Sequence, residues 1–144
     1  MEKINFSCNV KNTSDHTDLA LEFWLDGDKF FDNHIKVGNT CINYQFDEDE
    51  AEHCLAIVLK NKSQHHTKID ESGSILSDSI LTITDITFDD IQLDQIVYEN
   101  AVYTHSYNDT GKEIKEKFFG TLGCNGKVEF NFYTPFFMFF LEKM

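Results

Sequence analysis

Carboxylates are the groups in this sequence most able to do chemistry, and they crowd two short stretches. "DEDEAE", Asp47 to Glu52, has the acid density of a calcium loop. An EF-hand loop needs ligands at fixed offsets and a glycine at its sixth position. The sixth residue counted from Asp47 is Glu52, so the motif fails and the stretch reads as a solvated hairpin tip. "DITFDDIQLD" is more suggestive, with Asp85, Asp89, Asp90 and Asp94 crowded into a strand-like segment. Neighbouring carboxylates repel one another unless water or a cation screens them. The crowded segment is therefore a candidate calcium site, with a solvated strand edge as the alternative. A tight calcium site wants roughly six to eight oxygens, more than these side chains offer at useful spacing. The expectation is a fold that needs no cofactor, with calcium the one ion left open.

The other reactive side chains form no constellation. His65 and His66 are adjacent in a polar stretch, where neighbours rarely converge on one metal, and His16, His34, His53 and His105 stand singly. There is no H-E-x-x-H pattern, no G-x-S-x-G elbow and no phosphate-cradling glycine loop. His53 and Cys54 are sequence neighbours, but strand alternation sends them to opposite faces and prevents their acting as a pair. Cys8, Cys41, Cys54 and Cys124 lack any C-x-x-C spacing and are expected as reduced thiols buried like small apolar residues. No catalytic residue is assigned, and the protein is expected not to be an enzyme.

Charge narrows the partners. The formal net charge is −13, and the 12 basic residues are all lysine. Arginine makes the bidentate contacts that read phosphate and guanine. A strongly acidic chain without it is repelled by phosphate backbones, which excludes nucleic acid as a partner. The polar start "MEKINFSCNV" lacks the apolar core of a signal peptide, so synthesis in the cytoplasm is expected. The longest apolar run, "FFMFFL", is far too short for membrane insertion.

The elements that would position any site are strands. Hydrophobic residues make up 41% of 144 positions, enough for a single β-sandwich domain spanning 1–144. "KINFSCNV" sets Ile4, Phe6, Cys8 and Val10 on one face, and "DLALEFWLD" does the same with Leu19, Leu21, Phe23 and Leu25. Asp26-Gly27-Asp28 supplies a tight turn into the return strand "KFFDNHIKV". "CINYQF" and "HCLAIVLKN" flank the acidic tip, and the polar stretch 60–74 reads as a long loop. Strand signals recur around Ile83, Ile86, Ile91, Leu93 and Ile96, and Asn125-Gly126 signals a hairpin into Val128, Phe130 and Phe132. Helix is expected only in short pieces, around 112–118 and after Pro135. The fold class is all-β, an antiparallel sandwich of jelly-roll type with one or two short helices, one of them C-terminal.

Two aromatic features stand apart. Trp24 falls on the polar face beside Glu22 and Asp26, where it could stack on a sugar, fill an interface, or sit in a small core layer under 60–74. In "PFFMFFLEKM" no single face of a helix or strand can take Phe136, Phe137, Met138, Phe139, Phe140 and Leu141 together. Phe136, Phe137, Phe139 and Phe140 are accordingly candidate interface residues, with burial inside the domain as the alternative.

The order of these pieces resembles the calcium-dependent xylan-binding carbohydrate-binding modules. "LALEFWLDGDKFFDN" is similar to their strand–"DG"–strand opening, "INYQFDEDEAEHCLAIVLKNK" to their next segment, and "ITDITFDDIQLDQIVYENAVY" to their late Asp-bearing signature. That resemblance implies a sandwich and polysaccharide recognition, with Asp89 and Asp90 in the place of the calcium-holding loop. The ending "KVEFNFYTPFFMFFLEKM" also resembles the ends of small virion proteins of tailed bacteriophages. This second likeness implies a structural protein located in the virion, a homo-oligomer contacting other virion proteins, with a polysaccharide-binding attachment module as the alternative role.

Overall fold

A computed structural model describes residues 3–12, 19–60, 67–69, 75–78, 80–105, 113–122 and 126–143. Alternation builds the first strands as the sequence requires. β1 (Lys3–Asn12) buries Ile4, Phe6, Cys8 and Val10. β2 (Ala20–Leu25) buries Leu21, Phe23 and Leu25. Asp26 and Gly27 follow with φ of 52° and 85°. Two positive φ values in a two-residue loop match the twist of the flanking strands, which is why Asp-Gly serves here. The chain returns in β3 (Asp28–His34), with Leu25 opposite Asp28.

β4 (Gly38–Asp47) pairs with β1 along its whole length, while β5 (Glu52–Lys60) pairs with β2. β6 (Thr67–Ile69) and β7 (Ile75–Asp78) form a small separate ladder. β8 (Leu81–Phe88) adds to the other side of β1, and β9 (Ile91–Gln92) folds back on it through Asp89-Asp90. Helix α1 (Asp94–Asn100) precedes β10 (Val102–His105), β11 (Ile114–Lys117), β12 (Thr121–Leu122) and β13 (Gly126–Tyr133). Helix α2 (Phe136–Lys143) closes the described chain. The β1 sheet runs β12-β8-β1-β4 with β9 on β8, and the β5 sheet runs β11-β10-β13-β5-β2-β3. Their inner faces pack as an antiparallel sandwich.

Several expectations change against this topology. The acidic stretch is no hairpin tip, because β4 and β5 belong to different sheets and residues 47–52 cross between them. Crossing over the open end, Glu48 accepts the Phe136 backbone N–H at 3.1 Å, at the start of α2, where a carboxylate also complements the helix dipole. Residues 114–117 form strand rather than helix, since Ile114–Lys117 finds a ladder partner in β10. Ile96 lies in α1, not in a strand. Part of 60–74 is the β6–β7 ladder. Asn125 lies outside the described residues, and β12 and β13 sit in different sheets, so no hairpin joins them. Cys8 is buried as expected, but Cys41 is exposed and Cys54 half-buried, while Cys124 lies outside the description, as do His16, His65 and His66.

The core is dense in rings. Phe6, Phe23, Phe88, Phe130 and Phe132 line the sheet interface, and Phe136 and Phe139 of α2 cap one end of it. Phe88 meets Phe136 edge-on at 4.6 Å between centroids, and Phe130 meets Phe139 at 5.7 Å. Edge contacts of this kind add to the area term, itself about 1.5–3 kcal/mol for each fully buried large side chain. Phe136 and Phe139 therefore belong to the protein's own core and are not free for an interface. Phe137, Met138 and Leu141 emerge on the outer side of α2, with Phe140 half-buried.

Candidate functional site

A groove of about 520 Å³ lies at one end of the β5 sheet, where the β2–β3 turn, the start of β5, the end of β13, Asn100 of α1 and helix α2 meet. Its positions follow from alternation. Val128, Phe130 and Phe132 point inward on β13, so Asn131 and Tyr133 point out. In register with them on β5 are Cys54, opposite Asn131, and Glu52, opposite Tyr133. One row further on, Trp24 of β2 stands opposite Ala56, and Ala56 opposite Glu129. Trp24 and Tyr133 are thus separated by two strands and two rows, and a ligand touching both must be an oligomer. Glu52 and Asn131 have side chains without a partner among the described residues, leaving a carboxylate and an amide to meet it.

His53 fixes the floor of this groove. Its side chain is 6% exposed, with Nδ1 2.5 Å from Asp26 Oδ2 and Nε2 2.7 Å from Asp49 Oδ1. The ring stacks on Phe132 at 5.4 Å. Burial alone would lower the imidazole's pKa, but the bonds to Asp26 and Asp49 outweigh it and hold the pKa above its ordinary value. The same contact depresses Asp49, chiefly through its bond to His53. Asp26 also accepts the Cys54 N–H through Oδ1 at 2.8 Å, while its own N–H donates to the Cys54 carbonyl at 2.9 Å. The β2–β3 turn, the crossover and the middle of the sheet are tied together through one ring.

The line Asp26–His53–Thr134 has the order of a catalytic triad but not its chemistry. Thr134 Oγ1 is 3.5 Å from His53 Nε2, yet that nitrogen is already held by Asp49. Thr134 is buried and accepts the Ala51 N–H at 3.0 Å. A general base needs a free lone pair aimed at the nucleophile. With a carboxylate already on each ring nitrogen, His53 offers none.

Trp24 sits in a charged network of its own. Its Nε1–H donates to Glu22 Oε1 at 3.1 Å, and Lys29 Nζ lies 5.5 Å from the ring centroid. Lys60 reaches Glu22 at 2.8 Å and Asp32 at 3.1 Å, and Lys29 reaches Asp32 at 2.9 Å. The Lys60 bond is the main reason the Glu22 carboxyl lies below its usual range. A ligand stacking on Trp24 must move Lys29, whose exposed pairs hold it by little.

Asp89 and Asp90 fall elsewhere, at the β8–β9 turn on the other sheet, with φ of 50° and 67°. Asp89 Oδ1 accepts the Asn5 N–H at 2.8 Å, and Asp89 N–H donates back to the Asn5 carbonyl. Asp94 accepts the Ile86 N–H at 2.7 Å and the Asp85 N–H at 3.1 Å, closing the irregularity in β8. The Asp89 and Asp94 carboxylates are thus engaged with backbone amides. Among the described residues no group of three or more His, Cys, Asp or Glu converges to hold a metal. Sequence reasoning found Trp24 but not Tyr133, Asn131 or Glu52. Their signal was present, as the outward members of strands whose inward members were recognised.

No protein-family model matches the chain, and no curated protein matches it. Among solved structures it is similar to "vCBM60 in complex with galactobiose", at a TM-score of 0.54 and 11% identity, covering 88% of this chain and 98% of that one. That likeness shows the fold alone: this chain has a carbohydrate-binding-module-like β-sandwich.

Proposed function

We propose that the protein is a non-catalytic carbohydrate-binding module that engages an oligosaccharide along the groove between Trp24 and Tyr133. The observation that carries this reading is a groove lined by Tyr133 with the unpartnered Asn131 and Glu52, and a second outward aromatic, Trp24, two rows away on the same sheet face. Aromatic faces stack on the apolar faces of sugar rings, and amides and carboxylates orient the hydroxyls. The neighbour's title names galactobiose, which supports a saccharide of that general class here. Binding proceeds without calcium, since Asp89 already serves the Asn5 amide. Glycan-array binding, run with calcium and with chelator, tests this. The expected result is the same saccharide hits in both, weakened roughly tenfold by Trp24→Ala or Tyr133→Ala. Loss of all hits in chelator, or hits indifferent to both substitutions, would overturn it.

A second reading, assembly within the particle of a tailed bacteriophage, is favoured by the exposed stripe of Phe137, Met138 and Leu141 on α2, each at least half exposed. Light scattering of the full chain and of Phe137→Glu tests it. A multimer dissociated by that substitution supports assembly, and a monomer in both removes it.

A further inference from the structure

The outer face of the β1 sheet differs from the groove in being nearly uncharged. Across the strands Asn5 stands opposite Gln45, Ser7 opposite Asn43 and Thr87, and Asn9 opposite Cys41 and Thr84. The side chains of these paired positions include no carboxylate or amine, in a chain whose net charge is −13. Charge borders them in the Lys3–Asp47 pair, at Lys11, at exposed Asp85 within β8, and at Asp89 and Asp90 of the β8–β9 turn, where Asp89 accepts the Asn5 N–H. Asparagine is depleted from strands because its side chain competes for backbone bonds. Asn5 and Asn43 are exposed and pack against no core, so local stability is no reason for their presence.

The polar groups of this face are only partly matched to one another. Gln45 Nε2 donates to Asn5 Oδ1 at 2.5 Å, and Asn43 Nδ2 donates to Cys41 Sγ at 3.5 Å. The Gln45 and Asn43 carbonyl oxygens, the Asn5 side-chain N–H and the Thr87 hydroxyl keep no partner among the described residues. Over them lies a depression of about 690 Å³, with Asp90 at its rim.

We propose that this face is a second saccharide-binding surface, taking a neutral, extended sugar chain on the side of the sandwich opposite the groove. Each sugar hydroxyl both donates and accepts, and amide and hydroxyl side chains are the groups that answer in both senses. The rows offer nothing to select a charged sugar, and the acidic remainder of the molecule repels anionic polymers. No exposed large apolar side chain lies in these rows, so a protein partner would find little to desolvate. Side chains on one sheet face repeat at about 7 Å along a strand and about 5 Å across, a grid suited to a repeating polymer. Two faces let one molecule bridge two chains, so weak contacts multiply. The surface does not depend on the groove reading, and each can fail alone.

The test is a nitrogen-15 NMR titration of the full chain with galactobiose, xylotetraose and mannotetraose in turn, with polygalacturonate as a charged control. The side-chain amide signals of Asn5, Asn43 and Gln45 should move with at least one neutral sugar, and should still move in Trp24→Ala/Tyr133→Ala. Asn43→Asp should raise the Kd at this face roughly tenfold. If those signals stay still with all three neutral sugars, respond only to polygalacturonate, or move with protein concentration alone, the proposal is overturned. The last result would assign the face to a second copy. Movement confined to groove residues would leave the groove reading standing and remove this one, and movement confined to the β1 face would do the reverse.

Discussion

The two outer faces of this sandwich follow the same alternation yet manage their polar groups in opposite ways. On the β5 sheet, Glu22, Lys29, Asp32 and Lys60 are tied to one another, and Asp26 and Asp49 to a nearly buried histidine. On the β1 sheet, amides and hydroxyls touch in pairs and keep donors and acceptors free. The first face is shaped by its internal bonds, so its groove has a defined floor and orientation. The second is a flat array whose contacts are interchangeable. A polar sheet face is thus described less by its residue types than by where its hydrogen bonds already go.

The largest effect should come from the groove's support. Phe139→Ala removes a ring 2% exposed that packs on Phe130 and Phe132. It should cost about 3–5 kcal/mol in urea unfolding. Phe137→Ala, at 61% exposure, should stay within about 0.5 kcal/mol. Equal costs would mean that α2 is not seated as described. By the same reasoning a chain ending at Thr134 should fail to fold, because it loses Phe136 and Phe139 together.

His53→Ala comes next, at about 2–3 kcal/mol, from lost ring packing and two lost charge-assisted bonds. Amide exchange should quicken in the β2–β3 turn while β1 and β4 stay protected. Exchange quickening equally in both sheets would erase the distinction between the faces. The pH dependence has a definite sign. The folded pKa of His53 is raised above the ordinary 6.5, so its contribution is complete below that value and lost as pH rises through the folded pKa. Asp49 is depressed below its ordinary 3.8, so its contribution is present above that value and lost as pH falls through the folded pKa. Melting temperature followed from pH 5 to 9 should therefore fall at the alkaline side in the native protein. His53→Ala should flatten that fall.

Much of the sandwich was legible because its signals are local. Period-2 runs identified β1, β2 and β13, and the Asp-Gly turn identified the β2–β3 hairpin, though not the bulge between Phe23 and Trp24. The errors share one cause, that strand pairing is not written in adjacency. "DEDEAE" sits between two strands that join different sheets, and "EIKEK" carries helix-forming residues that β10 recruits into its ladder. Near the groove, Trp24 was visible as an aromatic on a polar face. His53 was not assigned a partner, because Asp26 reaches it only once the hairpin folds, and Asp49 only once the crossover turns back. The neutral face escaped notice because each outward residue is unremarkable alone, and its lack of charge exists only across rows.

The smallest effect discriminates most sharply, because its sign is reversed. Threonine suits a pleated, half-exposed surface better than asparagine does, by a few tenths to about 1 kcal/mol in host strands. Asn43 is exposed, and its described contacts are one long bond to Cys41 and the backbone ladder with β1. Asn43→Thr should therefore stabilise the protein by roughly 0.5 kcal/mol in urea unfolding. The same substitution removes the free carbonyl oxygen, so saccharide contact at this face should weaken. A residue that costs stability where it stands and is needed for contact there behaves as part of a site. On the charged face, Lys60→Ala should go the other way, slightly destabilising the protein, and less so in high salt, where such pairs are screened. If Asn43→Thr destabilises instead, the amides of the β1 sheet are holding their own strands, and the two faces differ in composition only.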